Sequence, residues 1–176
     1  MLNYNSFGIV DNKTSETMTK QEFCHFFIQG NLNVNLRKQL FLQLNSLFET
    51  YLLPLIHDIH RIWIDGSFVS KKPFPSDIDV LVLVTPTADS EPQDTQIIST
   101  ILDERDEIKC QTNVHLFVIF DYPNIDFSNQ GYREKFSLSK NSHNELYQYY
   151  KQLFSHTRAD KPKTIIELRV KDGEIQ

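Results

Sequence analysis

The run Asp77 to Val84 (DIDVLVLV) constrains this chain more than any other segment. After its two carboxylates it is β-branched and almost wholly apolar, without the polar alternation of a half-solvated strand. It therefore predicts a central strand, which other elements must cover. The rest of the chain has the material to do so. Hydrophobic residues make up 40% of 176 residues, with 13 Phe and 7 Tyr, against 23% charged residues. That is globular composition, and the length suits one domain with a core that needs no covalent staples.

The chain divides by its hydrophobic period. Residues 1–18 are polar and irregular and read as an N-terminal arm, and residues 19–176 read as a single domain. Thr19 and Glu22 have capping-box spacing and open a short helix with Phe23, Phe26 and Phe27 on one face. Leu36, Leu40, Leu44, Leu47, Phe48 and Tyr51 then recur at three- and four-residue spacing, which predicts an amphipathic helix over about 33–53. Arg61 to Asp65 reads as a strand, broken by Gly66-Ser67. Pro73 and Pro75 exclude a long helix between Lys71 and Ser76.

After the central strand, residues 85–94 read as a turn-rich loop, about 95–105 as a helix, and about 112–120 as a third strand. Ser142 to Glu145 has capping-box spacing ahead of Leu146, Tyr149, Tyr150, Leu153 and Phe154. Residues 164–170 read as a last strand at a sheet edge. The order is that of a mixed α/β or α+β domain.

Charge narrows the partners. Lys and Arg number 18 against 23 Asp and Glu, a net charge of -5. A broad nucleic-acid-binding surface is not expected from that balance. Cys24 and Cys110 cannot form a disulfide framework and read as reduced thiols of a cytoplasmic protein. No apolar run approaches the ~20 residues that span a bilayer, so no membrane partner is expected. The N-terminal stretch has neither the basic nor the apolar part of a secretory signal.

The chemistry-bearing segment is residues 61–84. Gly66 allows a sharp turn and close approach of a ligand, and the amides after it, with the Ser67 hydroxyl, can bind phosphate oxygens. Asp77 and Asp79 are two apart on a strand and so share a face. Two such close carboxylates repel unless a divalent cation lies between them, and hard oxygen donors suit Mg²⁺ or Mn²⁺. Phosphate donors beside a carboxylate platform are what phosphoryl or nucleotidyl transfer requires.

Gly-Ser followed at this spacing by Asp-x-Asp on a strand resembles the active-site motif of the DNA polymerase β-like nucleotidyltransferase superfamily. The likeness extends to an Arg-containing helix before the motif, to the Lys-x-Pro between its halves, and to the ending Phe154 to Leu168. Over these it resembles a family of small bacterial nucleotidyltransferase-like proteins. The resemblance implies an α+β nucleotidyltransferase fold, with a mixed central sheet of about four strands flanked by helices. It implies an NTP bound through Gly66 and Ser67, with Mg²⁺ or Mn²⁺ on the catalytic carboxylates Asp77 and Asp79; Lys71 and Lys72, in the loop between the motif halves, can bind the nucleotide's triphosphate, meet a substrate or stand in solvent. An NMP would pass to a hydroxyl acceptor on a protein, an RNA or a small molecule. The superfamily's third carboxylate aligns with His115, a poor Mg²⁺ ligand but an acceptable one for Mn²⁺. That departure leaves a second possibility open: a degenerate module that binds nucleotide or a partner protein, of the kind found in defence or toxin–antitoxin systems.

Other residues carry less. Asp65 can shape the turn or reach the metal indirectly. Arg158 and Lys163 can close over a nucleotide or form surface ion pairs. Arg37, among the leucines of the long helix, can cross to the site or be solvated, and solvation is the expectation. Asp121 lies on the face of His115 but six residues on, roughly 20 Å away. His57 and His60 lack further ligands for zinc. Tyr147, Tyr149 and Tyr150 can stack a base, though packing is the commoner role of such a run.

Overall fold

A computed structural model describes residues 2–11, 13–123 and 140–176, the side chains of 140–144 excepted. The side chains of Ser142 to Asn144, in the expected capping box, lie outside the described residues. The fold is α+β, with a mixed sheet flanked by helices.

The strands are β1 (Ser15–Met18), β2 (Ile59–Asp65), β3 (Ile78–Val84), β4 (Val114–Phe120), β5 (Ile165–Lys171) and β6 (Glu174–Ile175). They lie in the order β1-β5-β2-β3-β4, with β6 also paired to β5. β3 sits between antiparallel β2 and parallel β4, and all its residues from Val80 to Val84 are fully buried. This is the central position that its apolar run predicts.

The sheet exceeds the four strands expected, by β1 and β6. The Ser15–Met18 segment (SETM) has little apolar content, and it pairs in parallel with β5 through its backbone. β6 follows a turn in which Asp172 and Gly173 both have positive φ. Asp-Gly is the dipeptide such hairpin turns favour. With β1 on one side and β2 on the other, β5 is an interior strand and not the edge strand expected.

Helices cover both faces. A four-residue turn of helix, α1 (Lys20–Phe23), carries the predicted Thr19–Glu22 capping box and continues as a π-helical segment, Cys24–Gln29. α2 (Val34–Thr50) buries Leu40, Leu44 and Leu47. α3 (Glu91–Asp103) and α4 (Arg105–Thr112) replace the single helix expected at about 95–105. α3 starts within the expected loop because Pro92 is suited to a first helical turn, where acidic Glu91 and Asp94 also belong. These helices pack on the face formed by Ile62, Ile64, Val80, Val82, Leu116 and Val118. α5 (Lys140–Ser155) covers the opposite face, where Phe154 meets Trp63, Leu81, Leu83 and Ile119. Among the described residues no helix is long and apolar enough to cross a membrane.

Candidate functional site

Strand alternation places Asp65, Asp79 and His115 on the α5 face, at one end of the sheet. The register makes them direct neighbours across three strands: Asp65 on β2 opposes Asp79 on β3, and Asp79 opposes His115 on β4. His115, expected to stand for a third carboxylate, thus lies beside Asp79. His115 Nδ1 and Asp79 Oδ1 are 3.0 Å apart.

The chain turns away immediately after this row. Gly66 begins a short 3₁₀ turn (Gly66–Val69) with φ +82°, and a Cβ there would collide with the Asp79 carboxylate. Glycine is therefore required twice over, by its backbone conformation and by the side chain packed beneath it.

Each carboxylate has a cationic or imidazole partner. Lys163, from the segment before β5, pairs with both oxygens of Asp65. Burial pushes the Asp65 carboxyl above its usual range, and Lys163 pulls it only partly back. Lys109 Nζ, from α4, lies 2.8 Å from Asp77 Oδ2, and the Ser76 hydroxyl donates to Oδ1 at 3.1 Å. Burial opposes the Asp77 charge, but the Lys109 and Ser76 hydrogen bonds outweigh it and hold this carboxyl below its usual range.

Arg37 corrects the sequence expectation. It is not solvated but fully buried, and its guanidinium donates to the carbonyls of Phe27, Leu32, Phe68, Ser70 and Lys72. Three of those carbonyls belong to the chain that follows Gly66. Arg37 thus clamps this loop from below, and the Phe68 ring also lies under its guanidinium. An Arg in register with buried leucines on a predicted helix face was the available clue. Hydropathy alone assigns such a residue to solvent.

The site opens into a cavity of about 1000 Å³. Gly66, Ser67, Lys72, Asp77, Asp79 and His115 all line it, so these sequence candidates come together. Asp65, Lys109, Arg158 and Lys163 line it as well. Lys71 does not. Its ammonium stands 5.2 Å from the centre of the Tyr4 ring, and its amide donates to Gly8. Asp121 is held by Arg61 at the far end of the same sheet face. Tyr147 and Tyr150 pack on Trp63 and Phe117, whereas Tyr149 is exposed at the cavity wall. The role of Lys109 was missed, because the pairing of α4 with a β3 carboxylate has no local sequence mark.

Among the described residues no group of three carboxylate, imidazole or thiol side chains is gathered to hold a metal ion. A divalent ion here would exchange with Lys109 on Asp77 and with His115 on Asp79. That donor set fits an ion arriving with phosphate ligands of its own better than a preformed cage.

The model of a protein family of unknown function, DUF6932, matches residues 2–169. No curated protein and no solved structure matches the chain.

Proposed function

This chain belongs to DUF6932, a family of unknown function, and we propose for it metal-dependent transfer of an NMP from an NTP to a hydroxyl acceptor. One observation carries the proposal. The Gly66-Ser67 turn and the Asp77–Asp79 pair, separate in sequence, meet in one cavity on the end of a mixed sheet. Ser67 and the amides directly after Gly66 hold the β- and γ-phosphates, with Lys72 on the same wall. Asp77 and Asp79 hold the divalent ion, Mg²⁺ or Mn²⁺. When bound, that ion neutralises charge on the phosphate oxygens. The acceptor hydroxyl attacks the α-phosphorus, and pyrophosphate leaves.

The experiment is incubation with labelled NTPs, Mg²⁺ or Mn²⁺ and a cell lysate, beside the double variant Asp77→Asn/Asp79→Asn. Label transfer by the wild type alone is expected. Equal labelling by both proteins overturns the catalytic assignment.

A second reading, nucleotide binding without turnover, is favoured by His115 in the third position and by its contact with Asp79. Calorimetry separates the two. Saturable heat with Mn²⁺ and ATP, together with intact ATP after incubation with acceptors, supports the binding module.

A further inference from the structure

The cavity is lined by two unlike groups of residues. Ser67, Asp77, Asp79, Lys109 and His115 are polar or charged. Phe117, Tyr149 and Leu153 furnish an apolar wall, the last two from α5. Phosphates account for the first group and leave the second without an occupant.

The α5 wall is exposed where it meets the cavity. Helical spacing turns Tyr147, Tyr150 and Phe154 onto the sheet, where Trp63, Phe117 and Ile119 receive them. Tyr149 and Leu153 flank that stripe at the cavity and are 61% and 42% exposed. The Tyr149 ring stands edge-on to Tyr150 at 5.2 Å, and Tyr150 lies 5.4 Å from Phe117. Phe117 in turn lies 4.4 Å from His115. A continuous run of ring contacts therefore leads from the carboxylate row to the cavity lip and ends in one open aromatic face. An exposed aromatic ring is a stacking platform for a planar ligand.

We propose that Tyr149, backed by Leu153, is the seat of the nucleobase, so that this cavity selects nucleoside polyphosphates over inorganic polyphosphate. The proposal rests on the reading that phosphates sit on the polar group, and it adds the part of the substrate that this group cannot recognise. Stacking on a side chain tolerates any base, so the seat distinguishes nucleotide from non-nucleotide before it distinguishes one base from another.

The test compares ATP with inorganic tripolyphosphate, each with Mn²⁺, by calorimetry on the wild type, Tyr149→Ala and Tyr149→Phe. ATP should bind the wild type more tightly than tripolyphosphate does. Tyr149→Ala should lose about 5- to 100-fold in ATP affinity and leave tripolyphosphate unchanged. Tyr149→Phe, which keeps the ring, should restore ATP binding. ATP affinity unaltered in Tyr149→Ala overturns the base seat while leaving the phosphate reading standing. Equal loss for both ligands overturns it too, because the tyrosine then acts on the whole cavity. Failure of the wild type to bind either ligand removes the phosphate reading and the base seat with it.

Discussion

Arg37 is a buried cation with no anionic partner among the described residues. Five backbone carbonyls share its charge, and three of them lie in the loop that carries the candidate phosphate contacts. Hydrogen bonds to a charged group are worth about 1.5–3 kcal/mol each and are not additive, and orphaned buried carbonyls add a penalty. Arg37→Met should therefore lose more than about 3 kcal/mol in urea unfolding. Arg37→Lys, with fewer donors and no planar fork, should fall between it and the wild type. Wild-type stability in Arg37→Met would sink the clamp. Gly66 gives the second expectation at this scale. Gly66→Ala forces a non-glycine φ of +82° and displaces the Asp79 carboxylate, so it should cost about 1–3 kcal/mol and also abolish Mn²⁺–ATP binding. Unaltered nucleotide affinity would separate the turn from the site. Gly66 was legible because glycine after a strand has few other uses. Arg37 was not, because its partners are carbonyls, and any residue type supplies a carbonyl.

Among the elements, strands announced themselves when most of their side chains were buried and stayed silent when they paired mainly through the backbone. β3 could be read directly from DIDVLVLV. β1 could not, because SETM contributes mainly a hydrogen-bonding edge to β5. The start of α3 shows the same limit with side chains. Asp94 is buried there, one of its oxygens has no hydrogen-bond partner among the described residues, and Asp58 is its acidic neighbour. Burial, with the repulsion from Asp58 adding to it, raises the Asp94 carboxyl above its usual range. A carboxyl raised in the fold contributes stability that is full below its unfolded pKa and lost as pH rises through the folded value. Asp94→Asn should thus be more stable than the wild type at neutral pH, with the difference shrinking as the buffer is taken toward pH 4. Thermal melts across that range check it, and a pH-independent difference would show that Asp94 carries no such linkage.

At the scale of the molecule, the N-terminal residues are the test of what counts as the folded unit. The Thr164 amide donates to Val10, Ile9 bridges to Ser70, and Lys71 donates to Gly8, so this stretch binds both the loop after Gly66 and the approach to β5. Ile9 and Val10 also line the cavity. Leu2, Val10 and Met18 are at most 9% exposed. Burying such side chains is worth about 1.5–3 kcal/mol each, so together they contribute on the order of 5 kcal/mol. That is comparable with the whole stability of many domains, ~5–15 kcal/mol. Removing residues 2–18 would also uncover β5 along the side that β1 occupies, leaving an interior strand as an open edge. The truncated chain should therefore melt far below the full chain or aggregate, and it should lose Mn²⁺–ATP binding even at temperatures where it stays folded. A truncated chain that melts with the full one and binds ATP equally would make residues 2–18 a dispensable arm. The site would then belong wholly to the rest of the sheet.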